Sequence, residues 1–436
     1  MAGGFACSVA ECSGHWHAMV LLYSMQCYQL WYTDISKEKL CGGIYCHFHL
    51  SVSRFLIRFI CAYRQLPAVS YKTVFIMKHL LWLLLVVLFP VLIAAQEADT
   101  LKLRNFRPVS LYKIPQTLVK KARYPVTDFH SHDYPETDAG VDQWVKTMDA
   151  AGIAKSIILS YATGAKFDTV VNKYARYKNR FEVWCGFDYT GYGQPGWQQH
   201  AVEELERCYA KGARGVGELG DKGFGEFYST PAAGIGLHID DPQMRPLLQK
   251  CAELHMPVSI HVAEDAWMYE KDNAANDGLM NAATWKVDQT RPGLLGHDAL
   301  VATLERAVQQ NPRTTFIACH LANCCSNLSM LGLLFDKYPN LYADIAARYG
   351  EIAPIPRFVH AFMEKYSSRL VYGTDMGTSK DMYQVTFRIL ETADEHFYQQ
   401  DIFDYHWPLY GLALSDATLK KLYRENAANI LMPRKK

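Results

Sequence analysis

The chain has 436 residues, 50% of them hydrophobic by type, with 45 basic against 44 acidic side chains and a formal charge of +1. That length and composition suit one large core and exclude a disordered or low-complexity chain. The balanced overall charge gives no footprint for nucleic acid or for an anionic membrane, so no nucleic-acid partner is expected.

The first chemically distinct segment is interior. Met77-Lys78-His79 leads into an apolar run, Leu80–Ala95, that ends in small residues. A basic start, an apolar middle and a small-residue end describe a secretory signal peptide, residues 77–95, with cleavage before Gln96. Residues 1–76 are then expected to be a mispredicted extension. They hold six cysteines and Cys46-His47-Phe48-His49, half of a metal motif with no second half. The apolar run is shorter than the ~20 residues a membrane span needs, so no stable span is expected. An exported, periplasmic or secreted protein follows, with membrane anchoring as the minor alternative. Residues 96–122 read as a linker.

From residue 123 to 436 the pattern is one domain. Eight apolar, β-favouring segments recur, near Tyr124–Phe129, Ser156–Ser160, Phe181–Phe187, Arg214–Gly217, Val258–Ile260, Thr315–Ala318, Leu341–Ile345 and Leu370–Tyr372. Helical patterns such as Ala201–Lys211, Met244–His255, Ala299–Gln310 and Leu328–Tyr338 lie between them, with apolar residues three and four apart. Strands alternating with helices over this length predict a (β/α)₈ TIM barrel. The cysteines of this part (185, 208, 251, 319, 324 and 325) form no disulfide framework and read as buried thiols.

The strand ends carry the chemistry. In Thr127-Asp128-Phe129-His130-Ser131-His132 the two histidines share one face of a strand, as metal ligands must. Glu218 ends the fourth strand, His261 the fifth, His320 the sixth and Asp375 the eighth. Barrel enzymes place their working residues at those ends. A divalent ion held there lowers the pKa of a water from about 15.7 toward about 7. A neighbouring carboxylate can take the water's remaining proton and pass it to a leaving group.

This set of strand-end residues resembles the metal-dependent amidohydrolase superfamily. It is closest to the amidohydrolase 2 branch, the relatives of aminocarboxymuconate-semialdehyde decarboxylase. The resemblance runs from about Arg123 to Met432 and includes the closing Tyr423-Arg424-Glu425-Asn426-Ala427-Ala428-Asn429-Ile430-Leu431. It implies that His130, His132, His261 and Asp375 ligate metal, and that Asp375 also accepts a proton from the activated water. It gives His320 either of two roles: polarising that water beside one ion, or binding a second ion. Many two-metal relatives carry a carbamylated lysine on strand four. Gly217-Glu218-Leu219-Gly220 has a glutamate instead, similar to TatD-like deoxyribonucleases, and a carboxylate there could bridge two ions. One or two divalent ions per chain are expected, with zinc the default and manganese or iron also fitting.

Two long connections, 221–240 and 265–296, should overhang the site and enclose a small molecule. Glu264, Trp267 and Arg348 are candidate substrate-binding residues. His297-Asp298 reads as a helix start, His255 as the end of a helix, His360 as a helical residue and His238 as a loop residue. The expected function is metal-dependent hydrolysis of a small amide, ester or lactone. The alternative is metal-dependent non-oxidative decarboxylation on the same fold, and a TatD-like phosphodiesterase stands behind both. A homo-oligomer is compatible with the pattern.

Overall fold

A computed structural model describes residues 100–403 and 405–432. The stretch 1–76 and the segment 77–95, expected to be a signal peptide, lie outside the described residues.

All eight expected strands form: β1 Val126–Ser131, β2 Ile153–Leu159, β3 Phe181–Trp184, β4 Val216–Asp221, β5 Val258–Val262, β6 Phe316–Ala318, β7 Leu341–Asp344 and β8 Leu370–Val371. They pair in parallel and in chain order, as β1-β2-β3 and β4-β5-β6-β7-β8. Two seams join these runs. Cys185 and Val216 bridge in parallel between β3 and β4. Phe129 N donates to Tyr372 O (2.8 Å) and Asp375 N to His130 O (2.9 Å), joining β8 to β1. The sheet is therefore a closed barrel without an open edge.

A helix follows each strand: α1 Asp138–Ala151, α2 Gly164–Tyr174, α3 Trp197–Ala210, α4 Arg245–Glu253, α5 Leu279–Trp285 with α6 His297–Gln310, α7 Leu328–Lys337, α8 Pro356–Lys365 and α9 Lys380–Glu391. Local chemistry sets several ends. The Thr137 hydroxyl accepts from Gly140 N at the start of α1, and Gly152, at φ +87°, ends it. The Ser379 hydroxyl caps α9 in the same way. Among the described residues no helix is long and apolar enough to cross a membrane.

The core has two parts. Trp144, Phe167, Leu205, Leu304, Leu331 and Phe387 pack helix faces onto the outside of the barrel. Phe129, Ile157, Leu159, Trp184, Ile317 and Val371 form a separate cluster, joined by Ala427 and Ile430 from the C-terminal helix. Gly215 is required there, because a Cβ would stand 2.3 Å from the Trp184 ring. Most strand ends differ from expectation by a few residues: β1, β4 and β5 run further, to Ser131, Asp221 and Val262, while β2, β3, β7 and β8 stop earlier, at Leu159, Trp184, Asp344 and Val371. The β4 extension brings Asp221 and the following Lys222 to the upper rim.

Candidate metal centre

The C-terminal ends of the strands converge on one point. His130 and His132 come from the end of β1, Glu218 from β4, His261 from β5, His320 from just after β6, and Asp375 from four residues beyond β8. Gly373 makes room, since a Cβ there would lie 2.7 Å from the His130 Cβ. Several of these ends turn through left-handed backbone that non-glycine residues rarely adopt. Tyr161, Ala263, His320, Ala347 and Asp375 have φ of 42°, 61°, 59°, 53° and 52°. Such conformations cost on the order of 1–3 kcal/mol each and persist where the surrounding structure holds them, often at functional sites.

Glu218 is the hub. Its Oε2 lies 3.3 Å from His132 Nε2 and 3.6 Å from His130 Nε2. Its Oε1 lies 3.0 Å from His261 Nδ1 and 3.3 Å from His320 Nε2. One carboxylate thus faces a different histidine pair with each oxygen. Asp375 does something similar across the opening. Its Oδ1 is 3.0 Å from His132 Nε2, and its Oδ2 is 3.7 Å from His320 Nε2. The Tyr134 hydroxyl reaches the same Oδ1 at 3.4 Å.

Partners behind the histidines aim them. His132 Nδ1 is 2.9 Å from Leu159 O, and His320 Nδ1 is 2.9 Å from Ala346 O. A carbonyl only accepts, so Nδ1 carries the hydrogen in both rings and Nε2 faces the centre. His130 Nδ1 lies 2.9 Å from Asp344 Oδ2 in a wholly buried pair. Asp344 itself is fixed by His320 N and Ala346 N, which both donate to its Oδ1. Asp128 supports the strand end, accepting from Thr374 N and Oγ1 and from Ser131 Oγ. Carboxylate–histidine pairs of this kind orient metal ligands.

The donor set fits a divalent cation. His130 Nε2 and His261 Nε2 are buried without a hydrogen-bond partner. Groups of three ligand-type atoms occur within 4.8 Å of one another, among them His130, His132 and Glu218, and also Glu218, His261 and His320. The electrostatics agree. Burial favours a protonated Glu218, but His130, His132 and His261 outweigh it and hold its carboxylate well below the usual range. Asp375 is likewise held at about 2, against burial, by His130, His132 and His320. Burial opposes charge on His132 and His261, yet the facing carboxylates raise both to about 9. Carboxylates that draw protons onto these rings also favour a metal ion in their place. His320 is lowered, first by burial, and stays neutral, as a ligand or proton acceptor requires.

Above the centre is a cavity of about 460 Å³. Its floor is Glu218, His261, His320 and Asp375, and Tyr228, Met268, Trp285, Phe403 and Tyr405 are among its walls. Glu264, Lys222 and Arg348 also line it. Lys222 Nζ pairs with Glu264 and sits 5.7 Å above the Trp285 ring. Arg348 is buried, with Nε 3.0 Å from Asp265 Oδ2 and Nη1 3.4 Å from Glu351 Oε1.

The expected site residues divide accordingly. His130, His132, Glu218, His261, His320 and Asp375 come together, and Glu264 and Arg348 reach the cavity. Trp267 does not line it. The turn Ala266–Tyr269 points Met268 inward, while Trp267 packs against Trp407 at 6.2 Å beside a neighbouring cavity of about 790 Å³. Trp285, from the same long connection, takes the wall position instead. His238 binds Asp221 (2.7 Å), and His297 starts α6 with Nε2 on Asn323 O (2.8 Å). His360 Nδ1 bonds Leu412 O, away from the centre. Sequence reading passed over Asp344, Asp128, Lys222 and Glu351. Asp344 ends β7 as the others end their strands, one residue before the expected end at Ile345.

A closed parallel barrel with histidines and carboxylates gathered at its strand ends presents a candidate metal site of the kind barrel enzymes build there. A family model described as amidohydrolase matches residues 121–431, and the chain belongs to that family. No curated protein matches it. Solved structures do. A 2,6-dihydroxybenzoate decarboxylase from Rhizobium is 16% identical with a TM-score of 0.43, over 71% of this chain and 98% of that one. A 5-carboxyvanillate decarboxylase from Novosphingobium aromaticivorans, complexed with manganese, is 13% identical with a TM-score of 0.44, over 73% and 99%. A TIM-barrel protein from Bordetella bronchiseptica is 13% identical with a TM-score of 0.44, over 70% and 98%.

Proposed function

We propose that this chain is a divalent-metal-dependent enzyme acting on a small organic substrate enclosed above the histidine–carboxylate cluster. The observation that carries the reading is the Glu218 carboxylate, whose two oxygens face two histidine pairs. His130 and His132 would hold one position, His261 and His320 the other, with Glu218 between them and Asp375 on the open side. When bound, the metal would supply a Lewis acid for the substrate oxygen and an acidified water.

Hydrolysis of an amide, ester or lactone is the reaction this arrangement serves directly. Asp375 takes the proton that the attacking water loses, and returns it to the departing nitrogen or oxygen. Tyr134 and His132 hold the Asp375 carboxylate in place for both transfers. Aromatic walls exclude bulk water from the apolar part of the substrate.

Non-oxidative decarboxylation stands level with it. The specific observation is the pairing of those apolar walls with a buried and a half-buried cationic side chain, Arg348 and Lys222. A carboxylic acid in such a cavity would lie beside Lys222 and Arg348, each also paired with a protein carboxylate, with its body desolvated, and Asp375, after taking up a proton from water, would deliver it to the carbon that loses carbon dioxide. Decarboxylation is also the reaction named for the Rhizobium and Novosphingobium proteins.

Turnover in water labelled with oxygen-18 separates the two. Label in the product of an amide, ester or lactone panel supports hydrolysis. Carbon dioxide from an aromatic or enoic acid panel, with no label in the organic product, supports decarboxylation. Neither product from the metal-loaded protein would refute the enzymatic reading. Export through residues 77–95 belongs to the same proposal and rests on the sequence pattern alone.

A further inference from the structure

The overall charge balance conceals one local imbalance. Between Leu101 and Arg123 the sequence holds seven basic residues and no acidic one. All seven, Lys102, Arg104, Arg107, Lys113, Lys120, Lys121 and Arg123, are exposed. Large apolar side chains are exposed among them: Val109 at 84%, Leu111 at 89% and Leu118 at 73%. Exposed apolar side chains gathered into one patch mark interaction surfaces.

This arm is held in place rather than trailing. Thr117 N and Oγ1 both donate to Asp394, each at 2.7 Å. Ser110 Oγ meets His396 Nδ1 at 3.2 Å, and Gln384 Nε2 donates to Lys120 O at 3.2 Å. Burial follows from this anchoring. Ser110 and Ile114 turn toward the barrel, while Val109, Leu111 and Lys113 face out. Of the nearby carboxylates, Asp394 and Glu391 are turned inward, while Glu395 and Asp416 are exposed, Asp416 paired with Arg123 at 2.8 Å. Asp394 is occupied by Thr117 and Arg388, and Glu391 by Arg123 and Tyr423. Aromatic residues border the arm: Tyr112, Tyr398 and Tyr410 surround the His396 ring at 4.7, 5.5 and 6.3 Å.

We propose that the arm, residues 101–121, is a peripheral docking surface for an anionic lipid bilayer. Three features argue for that partner. The exposed lysines Lys102, Lys113, Lys120 and Lys121, with no acidic residue between Leu101 and Arg123, complement an anionic headgroup layer. Exposed leucine and valine side chains between the charges can enter the acyl boundary, as in interfacial segments. Tyrosine is a side chain of membrane–water boundaries, with an apolar body and a polar tip. In the sequence the arm begins six residues after the apolar run Leu80–Ala95. This inference is independent of the reaction at the metal centre.

The test uses residues 96–436, which keep every core residue among the described ones and contain the compact unit 99–436. Flotation with phosphatidylcholine vesicles is compared with flotation on vesicles that also contain phosphatidylglycerol. Binding is expected only to the anionic vesicles, and should fall as salt rises. Combined Lys102→Gln, Lys113→Gln, Lys120→Gln and Lys121→Gln should weaken it at least about tenfold. Leu111→Gln with Leu118→Gln should weaken it with all charges kept. Circular dichroism and turnover check that each variant is folded. No binding to anionic vesicles at low salt would overturn the proposal, as would binding indifferent to the lysine changes. A dimer in solution that the leucine variant breaks, without vesicle binding, would assign the face to a second copy and overturn it equally.

Discussion

Asp344 Oδ2 lies 2.9 Å from His130 Nδ1, and neither side chain has any solvent exposure. Burial opposes charge on both, but each holds the other's charged form: Asp344 is lowered and His130 raised. The pair fixes which nitrogen His130 offers to the centre. Asp344→Asn keeps the acceptor for His320 N and Ala346 N but removes the negative charge. Metal affinity should fall about 10–100-fold. Competition with a chromogenic chelator measures it, and an unchanged affinity would remove Asp344 from the orienting role.

His130→Ala and Asp375→Asn should abolish measurable turnover with the barrel intact. The Asp375 loss should be at least about 10²–10⁴-fold, the usual contribution of a positioned proton carrier. Near wild-type turnover in either purified, metal-loaded variant would contradict the site.

The Lys222–Glu264 pair stands in the cavity wall, and Lys222 is raised by Glu264 and Tyr228 against the effect of burial. Lys222→Met should raise KM for an anionic substrate more than it changes kcat. A fall in kcat at constant KM would place Lys222 in the chemistry instead.

Arg348 is locked between Asp265 and Glu351. Arg348→Met leaves two buried carboxylates without a counter-charge and should cost about 3–5 kcal/mol of stability. The same pair predicts a pH dependence. Burial pushes Asp265 up to about 7 from 3.8, with Arg348 opposing and Glu351 adding. The folded state therefore holds a proton that the unfolded chain has released. This contribution to stability is greatest below about 4 and is lost as pH rises toward about 7. Denaturant unfolding between pH 5 and 8 should show that fall, and Asp265→Asn should flatten it. An equal slope in both proteins would refute the assignment.

Much of this was legible in the sequence, for a physical reason. Buried parallel strands read as short apolar runs, and a polar residue closing such a run stands out. That rule located all eight strands and brought His130, His132, Glu218, His261, His320 and Asp375 to the barrel rim. It missed Asp344 because the apolar Ile345 after it made Asp344 look interior. It missed Lys222 because β4 extends past Gly217, which nothing in Gly217-Glu218-Leu219-Gly220 announces. Trp267 and Trp285 share one long connection, and only its folded path decides which faces the metal centre. Glu351 needs a turn after β7 that composition does not encode.

The central claim is that Glu218 joins two metal positions. The most direct test is metal content per chain by elemental analysis, for wild type and for Glu218→Ala. Two equivalents falling toward one in the variant is the predicted result. One equivalent, unchanged by the substitution, would contradict it.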